Sequence, residues 1–214
     1  MRGFHTAIAL FLLASTPGAF AQKFEIGGGV GASFYTGKDI TGRNNAAGTF
    51  KPASSWGVTA AVGHNLYDYV GGEFRFTLQK NDLQLQSSGT TAKFGAQSSA
   101  FHYDVLIHTA SVRQRIRPFV AFGGGVKMYQ GMGKEVVAQP LANLAFLTKT
   151  TETKPVIDFG AGVKVKLSDR ILLRADLRDY FGPVPTKVVA PAPGAKLDGW
   201  FHNFVAMVGI SLLF

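Results

Sequence analysis

Apolar and polar positions alternate with a period of two along most of this chain. The longest clean run is the last fifteen residues, Trp200-Phe-His-Asn-Phe-Val-Ala-Met-Val-Gly-Ile-Ser-Leu-Leu-Phe214. Even positions read His202, Phe204, Ala206, Val208, Ile210, Leu212 and Phe214. Odd positions read Asn203, Val205, Met207, Gly209, Ser211 and Leu213. One face is apolar for the whole run; the other is smaller and more polar. Successive strand side chains point to opposite faces, so the run predicts a strand between two unlike environments. A tilted strand of about 9–11 residues crosses a bilayer, and this one is long enough.

The same alternation predicts seven more strands, over roughly 23–36, 55–65, 69–86, 99–110, 117–129, 154–168 and 170–181. Their connections alternate in length. Asn65 to Asp68, Ser111 to Arg115 and Ser168-Asp169 are short turns. Gly37 to Ser54, Ser87 to Ser98, Gln130 to Thr153 and Gly182 to Gly199 are long. Short periplasmic turns and long outer loops are the habit of transmembrane barrels, and an even strand count puts both ends on the periplasmic side.

Parity sharpens the reading. One parity per strand gives Phe24, Ile26, Val30, Phe34; Trp56, Val58, Ala60, Val62; Val70, Phe74, Phe76, Leu78; Phe101, Tyr103, Val105, Ile107; Val120, Phe122, Val126, Met128; Ile157, Phe159, Ala161, Val163, Val165, Leu167; and Ile171, Leu173, Ala175, Leu177. None is charged, as a lipid-facing wall requires. The opposite parity holds Glu25, Glu73, Arg75, Asp104, Lys127, Asp158, Lys164, Lys166, Arg174, Asp176 and Arg178. A soluble sandwich also segregates its faces. The loop alternation and the N-terminus favour the membrane. The expected fold is all-β: an eight-stranded, antiparallel, up-and-down transmembrane barrel.

The N-terminus is read as a secretory signal. Met1 to His5 is a short positive region, Thr6 to Ala14 is apolar, and Ala19-Phe20-Ala21 is an A-x-A site. Cleavage between Ala21 and Gln22 leaves residues 22–214 as one barrel domain, with no appended cell-wall-binding domain expected. Losing Arg2 lowers the net charge from +9 to +8. Cysteine is absent, which excludes a disulfide framework and thiolate metal sites. Glycine is high at 26 and phenylalanine at 18, charged residues are only 16%, and mean hydropathy is +0.13. That balance suits a membrane barrel better than a soluble exported protein.

Eight strands leave a bore that side chains alone can fill. Buried charges are costly unless paired. Glu73, Arg75, Asp104, Lys127, Asp158, Lys164, Arg174, Asp176 and Arg178 are therefore expected as a lumen network of ion pairs. That network either plugs and stiffens the barrel or lines a gated polar path.

The run Pro155-Val-Ile-Asp-Phe-Gly-Ala-Gly-Val-Lys-Val-Lys-Leu-Ser-Asp-Arg-Ile-Leu-Leu-Arg-Ala-Asp-Leu-Arg-Asp-Tyr180 resembles the sixth and seventh strands of OmpA-like and OmpX-type small outer-membrane β-barrels. Arg117-Pro-Phe-Val-Ala-Phe-Gly-Gly-Gly-Val126 and Gly71-Gly-Glu-Phe-Arg-Phe76 resemble their fifth and third strands. The resemblance implies a small, mostly closed barrel in the cell outer membrane, embedded in lipid and lipopolysaccharide. It also implies that Phe214 is an assembly signal read by the barrel-insertion machinery. Members include structural, adhesive and solute-conducting proteins, so the resemblance leaves the function open.

Other motifs carry less. Gly27-Gly-Gly-Val-Gly-Ala32 fits a loose dinucleotide pattern, but no helix follows it. His64, His102, His108 and His202 lie on different predicted strands without metal spacing, His102 and His108 being read as lumen hydrogen-bonders. His108 and Ser111 have opposite parity, which argues against a lipid A-modifying enzyme. Lys38, Arg43, Lys51, Lys93, Lys134, Lys149, Lys187 and Lys196 sit in predicted outer loops and suit anionic sugars. No basic stripe is interleaved with stacking aromatics, so nucleic acid is not an expected partner. Tyr35, Trp56, Tyr69, Tyr129, Tyr180 and Trp200 fall near strand ends and are read as interfacial girdle. Segment 136–147 is too apolar for a bare loop. It is expected as an elongated hairpin above strands five and six, or as an apolar entrance or adhesive surface.

The sequence thus predicts a monomeric, non-enzymatic envelope-integrity or surface-interaction barrel without metal or cofactor. The alternatives are a narrow channel for apolar or anionic solutes and, third, the lipid A-modifying enzyme.

Overall fold

The computed structural model describes residues 24–43, 46–136 and 138–214. The expected signal peptide and its Ala21/Gln22 junction lie outside them. Fourteen strands are described: β1 (Phe24–Tyr35), β2 (Lys38–Thr41), β3 (Ala47–Pro52), β4 (Ser55–Asn65), β5 (Val70–Lys80), β6 (Leu83–Ser87), β7 (Thr90–Phe94), β8 (Ala96–His108), β9 (Ile116–Gly131), β10 (Ala145–Leu147), β11 (Thr151–Lys166), β12 (Ile171–Pro183), β13 (Val189–Pro191) and β14 (Trp200–Leu213).

Eight of them close a barrel in the order β1-β14-β12-β11-β9-β8-β5-β4, every neighbour antiparallel. The last strand seals onto the first, with Val30 opposite Val208 and Ala32 opposite Ala206. Closure leaves no barrel edge with unpaired backbone groups, as hydrocarbon demands. The parity follows the alternation in the sequence. Phe74, Phe101, Phe122, Phe159, Leu177 and Ile210 face outward and are exposed, while charged residues of the other parity are buried inside. Small inward residues let strands approach closely. A Cβ at Gly31 would lie 1.9 Å from the Ala206 carbonyl oxygen on β14.

The outward face supports a direct test. Val208 and Leu173 are 57% and 43% exposed, and Val163 shares their face. Arginine at any of the three is expected to destabilise by roughly 2–4 kcal/mol near the midplane, read from denaturant unfolding in lipid. Cysteines there should resist water-soluble thiol reagents in intact membranes; fast labelling at all three would reverse the parity.

The long connections are not bare loops. β2, β3, β6 and β7 form a four-stranded sheet in the order β2-β3-β6-β7, and β10 pairs with β13. A bridge between Thr41 and Lys196 ties the two pieces together. Beneath them lies an apolar core of Ile40, Phe50, Leu85, Leu144, Leu147, Val188 and Val189. Tyr35, Tyr129 and Phe201, from the outer ends of barrel strands, complete it. The outer segments therefore make a cored cap.

Three expectations are corrected. The predicted third strand, 69–86, is two strands, because Asn81-Asp82 turns the chain out of the barrel: Asn81 Nδ2 donates to the Ala53 carbonyl at 3.0 Å, and Ala53 N to the Asp82 carbonyl at 2.7 Å. In segment 136–147, the described residues do not extend the β9–β11 hairpin. They turn at 140–144 and pair β10 with β13, which buries Leu144 and Leu147 in the cap. Tyr35, Tyr129 and Tyr180 are not girdle residues: their parity is inward, and all three are buried, whereas Trp56, Tyr69 and Trp200 are exposed.

Candidate functional site in the lumen and the outer cap

The lumen is filled in layers. At the periplasmic end Arg117 of β9 donates Nη1 to Asn65 Oδ1 at 3.3 Å and Nη2 to the Asp68 carbonyl at 3.2 Å, pinning the β4–β5 turn. Above it Lys164 of β11 pairs with Glu25 of β1. Glu25 joins the nine residues expected in the network, as its inward parity allows.

The middle layer crosses the bore. Arg75 of β5 donates Nη1 and Nη2 to Asp176 Oδ1 and Oδ2 of β12, both at 3.0 Å, and Nε to Glu73 at 2.9 Å. Arg174 also binds Asp176, at 2.6 Å, and clasps Glu73 with both terminal nitrogens. Arg178 donates Nη1 to Asp104 at 2.9 Å and to Asp158 at 2.6 Å. Register explains the need for these cations. Glu73 lies directly opposite Asp104 across β5 and β8, so like charges sit side by side until guanidinium groups reach over from β12. Gly160 leaves the room: a Cβ there would lie 2.2 Å from Arg178 Cδ. Forked guanidinium–carboxylate contacts are among the stronger hydrogen bonds available to proteins.

Phe119, which sequence reasoning left unassigned, packs among these cations. Its ring centroid is 4.9 Å from Arg174 Cζ and 5.8 Å from Lys164 Nζ. The inward parity of β9 marks it in the sequence, since it alternates with Val120 and Phe122. His102 Nδ1 lies 2.8 Å from Asp104, and its Nε2 lies 3.2 Å from Tyr180 Oη. The ligand atoms of His102, Asp104 and Asp158 approach one another closely enough for a metal, but Arg178 already bridges the two carboxylates. His108 is buried inside against Phe119, and Ser111 stands in the β8–β9 turn.

Lys127 departs from expectation. Its ammonium meets no carboxylate among the described residues. It contacts Tyr35 Oη at 3.0 Å, Gln79 Oε1 at 3.3 Å and Asn203 Oδ1, with the rings of Tyr35, Tyr129 and Tyr180 about it at 4.9, 5.4 and 5.3 Å. The acids lie in the layer below, whereas Lys127 stands at the foot of the cap. Amide oxygens and aromatic faces take the place of a counter-ion. Ser33, Ser98 and Thr77 extend this neutral layer through Gln79 and Tyr180.

Charged layer, neutral polar layer and apolar cap core thus follow one another along the axis. The cap's outer surface carries exposed Lys51, Lys93, Lys134, Lys149, Lys187 and Lys196. A sequence-family model described as "Outer membrane protein beta-barrel domain" matches residues 6–211. The chain belongs to that family. Its place is the cell outer membrane, with the eight barrel strands in lipid.

Solved structures agree on the fold. Outer membrane protein OprG from Pseudomonas aeruginosa superposes with a TM-score of 0.59 at 14% identity, covering 92% of this chain and 98% of that one. Neisserial surface protein A does so with a TM-score of 0.56 at 9% identity, covering 89% and 97%. No curated protein sequence matches. The family embraces barrels of varied roles, so the role of this outer-membrane barrel rests on its own lumen and cap.

Proposed function

We propose that this barrel is a closed, monomeric display platform: a stiff membrane anchor that holds a rigid cap in the outer leaflet for envelope integrity and surface interaction. One observation carries the reading. The axis is obstructed twice, by the Arg75–Asp176–Arg174–Glu73 layer and again by the cap core around Phe50, Leu85 and Leu144. A solute path would have to open both. The exposed lysines around the cap suit the anionic sugars of lipopolysaccharide. Phe214 is read as the signal to the insertion machinery.

The ion layer opposes partial opening. Each cation withdrawn from its carboxylates exposes a desolvated charge, which good geometry alone offsets. The purified, refolded protein in planar bilayers is therefore expected to give no steady single-channel current. Frequent, long-lived openings would instead establish the channel for small apolar or anionic solutes. For a lipid A-modifying activity, the candidate pair is not assembled at the lipid face, since His108 is buried in the lumen and Ser111 lies in the β8–β9 turn.

A further inference from the structure

The outer face of the four-stranded cap sheet is unlike the rest of the surface. Its inner face is fixed by Ile40, Phe50, Leu85 and Ala92, all buried in the cap core. The opposite parity must then face outward. In register across the four strands it reads Asp39, Thr49, Gln86 and Thr91. The next row, on three strands, reads Lys51, Gln84 and Lys93. Beside the first row lies an open groove of about 700 Å³, whose wall presents hydroxyl and amide groups of Thr41, Thr49, Gln86, Ser87, Thr90 and Thr91 alongside comparable apolar surface from neighbours such as Ala47. Asp39, in the first row, accepts from Thr49 Oγ1 at 3.3 Å, and exposed Asp82 continues the parity of Gln84 at the barrel end. Lys51 and Lys93 are exposed and enter no ion pair among the described residues.

We infer that this face binds an acidic polysaccharide, with the hydroxyl and amide row reading sugar hydroxyls and Lys51 and Lys93 holding carboxylate or sulfate groups. The chemistry selects this occupant against others. A protein partner needs buried aromatic or arginine anchors, and this face has none. A membrane surface needs apolar side chains to insert, and among the described residues of this face Ala47 is the one apolar side chain. Single-stranded nucleic acid needs stacking rings. Hydroxyls and amides both donate and accept, which matches the mixed hydrogen bonding of a sugar chain. The two lysines, two strands apart, stand roughly 10 Å from each other at Cα, so one extended chain reaches both. The occupant comes from solution rather than from the barrel's own lipid. Lys51 and Lys93 stand in the row of the cap sheet nearest the barrel rim, so the test below removes lipopolysaccharide to separate a polymer in solution from the barrel's own lipid.

The inference rests on the display reading, and one preparation separates the two. The full mature chain, refolded in lipopolysaccharide-free nanodiscs, is titrated with polygalacturonate, dextran sulfate and neutral dextran. The two acidic polymers should bind and neutral dextran should not. Lys51→Gln with Lys93→Gln should weaken polygalacturonate binding about tenfold, an effect that falls as salt rises. Thr49→Val with Thr91→Val, which leaves the charge unchanged, should weaken it severalfold. Lys134→Gln with Lys149→Gln, elsewhere on the cap, should leave it unchanged. Equal loss from the Lys134/Lys149 variant, no loss from the threonine variant, or binding of lipopolysaccharide micelles alone would overturn the proposal. Conductance of the same protein decides the display reading independently: a silent barrel that binds no polymer sinks this inference and spares that reading, and a conducting barrel that binds does the reverse.

Discussion

Replacing Asp176 by alanine is expected to destabilise the refolded barrel by about 3–5 kcal/mol. Asp176 receives both terminal nitrogens of Arg75 and the Nε of Arg174. Its loss leaves two guanidinium groups with Glu73 as their shared carboxylate, in a layer where Arg75 is 1% exposed. The cost is that of cations left partly unpaired out of water, and it exceeds what the lost contacts alone contribute. Asp176→Asn keeps the shape and one acceptor oxygen, so it should cost less than the alanine. Urea unfolding in lipid, followed by the heat-modifiable gel shift and by tryptophan fluorescence, reads both variants. A loss of under about 1 kcal/mol for Asp176→Ala would mean that water reaches the site and screens it, and would weaken the closed-lumen reading with it.

The barrel was legible because lipid imposes the same rule on every strand. Val30, Phe74, Val120, Phe159, Leu173 and Val208 each fall on the parity the alternation assigns. The cap was not legible, because its strands are short and their pairing is remote: β3 meets β6 and β10 meets β13, at distances no local pattern reports. One local sign was there to be read. Outward residues on β5 are even, Phe74, Phe76 and Leu78, whereas the next apolar pair, Leu83 and Leu85, is odd. The alternation slips at Asn81-Asp82, where the chain leaves the barrel. Tyr35, Tyr129 and Tyr180 lie near strand ends, which suggests a girdle, but their parity is inward and decides their place. For Lys127, parity gives the face and not the height along the axis, so the sequence alone does not separate it from the acids. Height depends on strand stagger, which follows from the register.

Deleting Phe214 is expected to cut folded protein in the outer membrane of cells to a small fraction of wild type while barely changing the stability of the refolded barrel. Its ring points outward, 57% exposed, at the periplasmic end of the seam. Its backbone makes two hydrogen bonds with Phe24, at 2.9 and 3.3 Å. Each is worth only about 0.5–1.5 kcal/mol net, and the end of a strand frays readily. The pairing from Glu25 opposite Leu213 to Tyr35 opposite Asn203 remains to close the barrel. A large loss in cells therefore cannot come from the folded state and must come from recognition during insertion. Phe214→Ala, which retains the backbone bonds, separates the two causes: it should behave like the deletion in cells and like wild type in refolding. Unchanged insertion of either variant would remove the assembly role of Phe214. An equal loss in refolding and in cells would make the terminal residue a structural clamp instead.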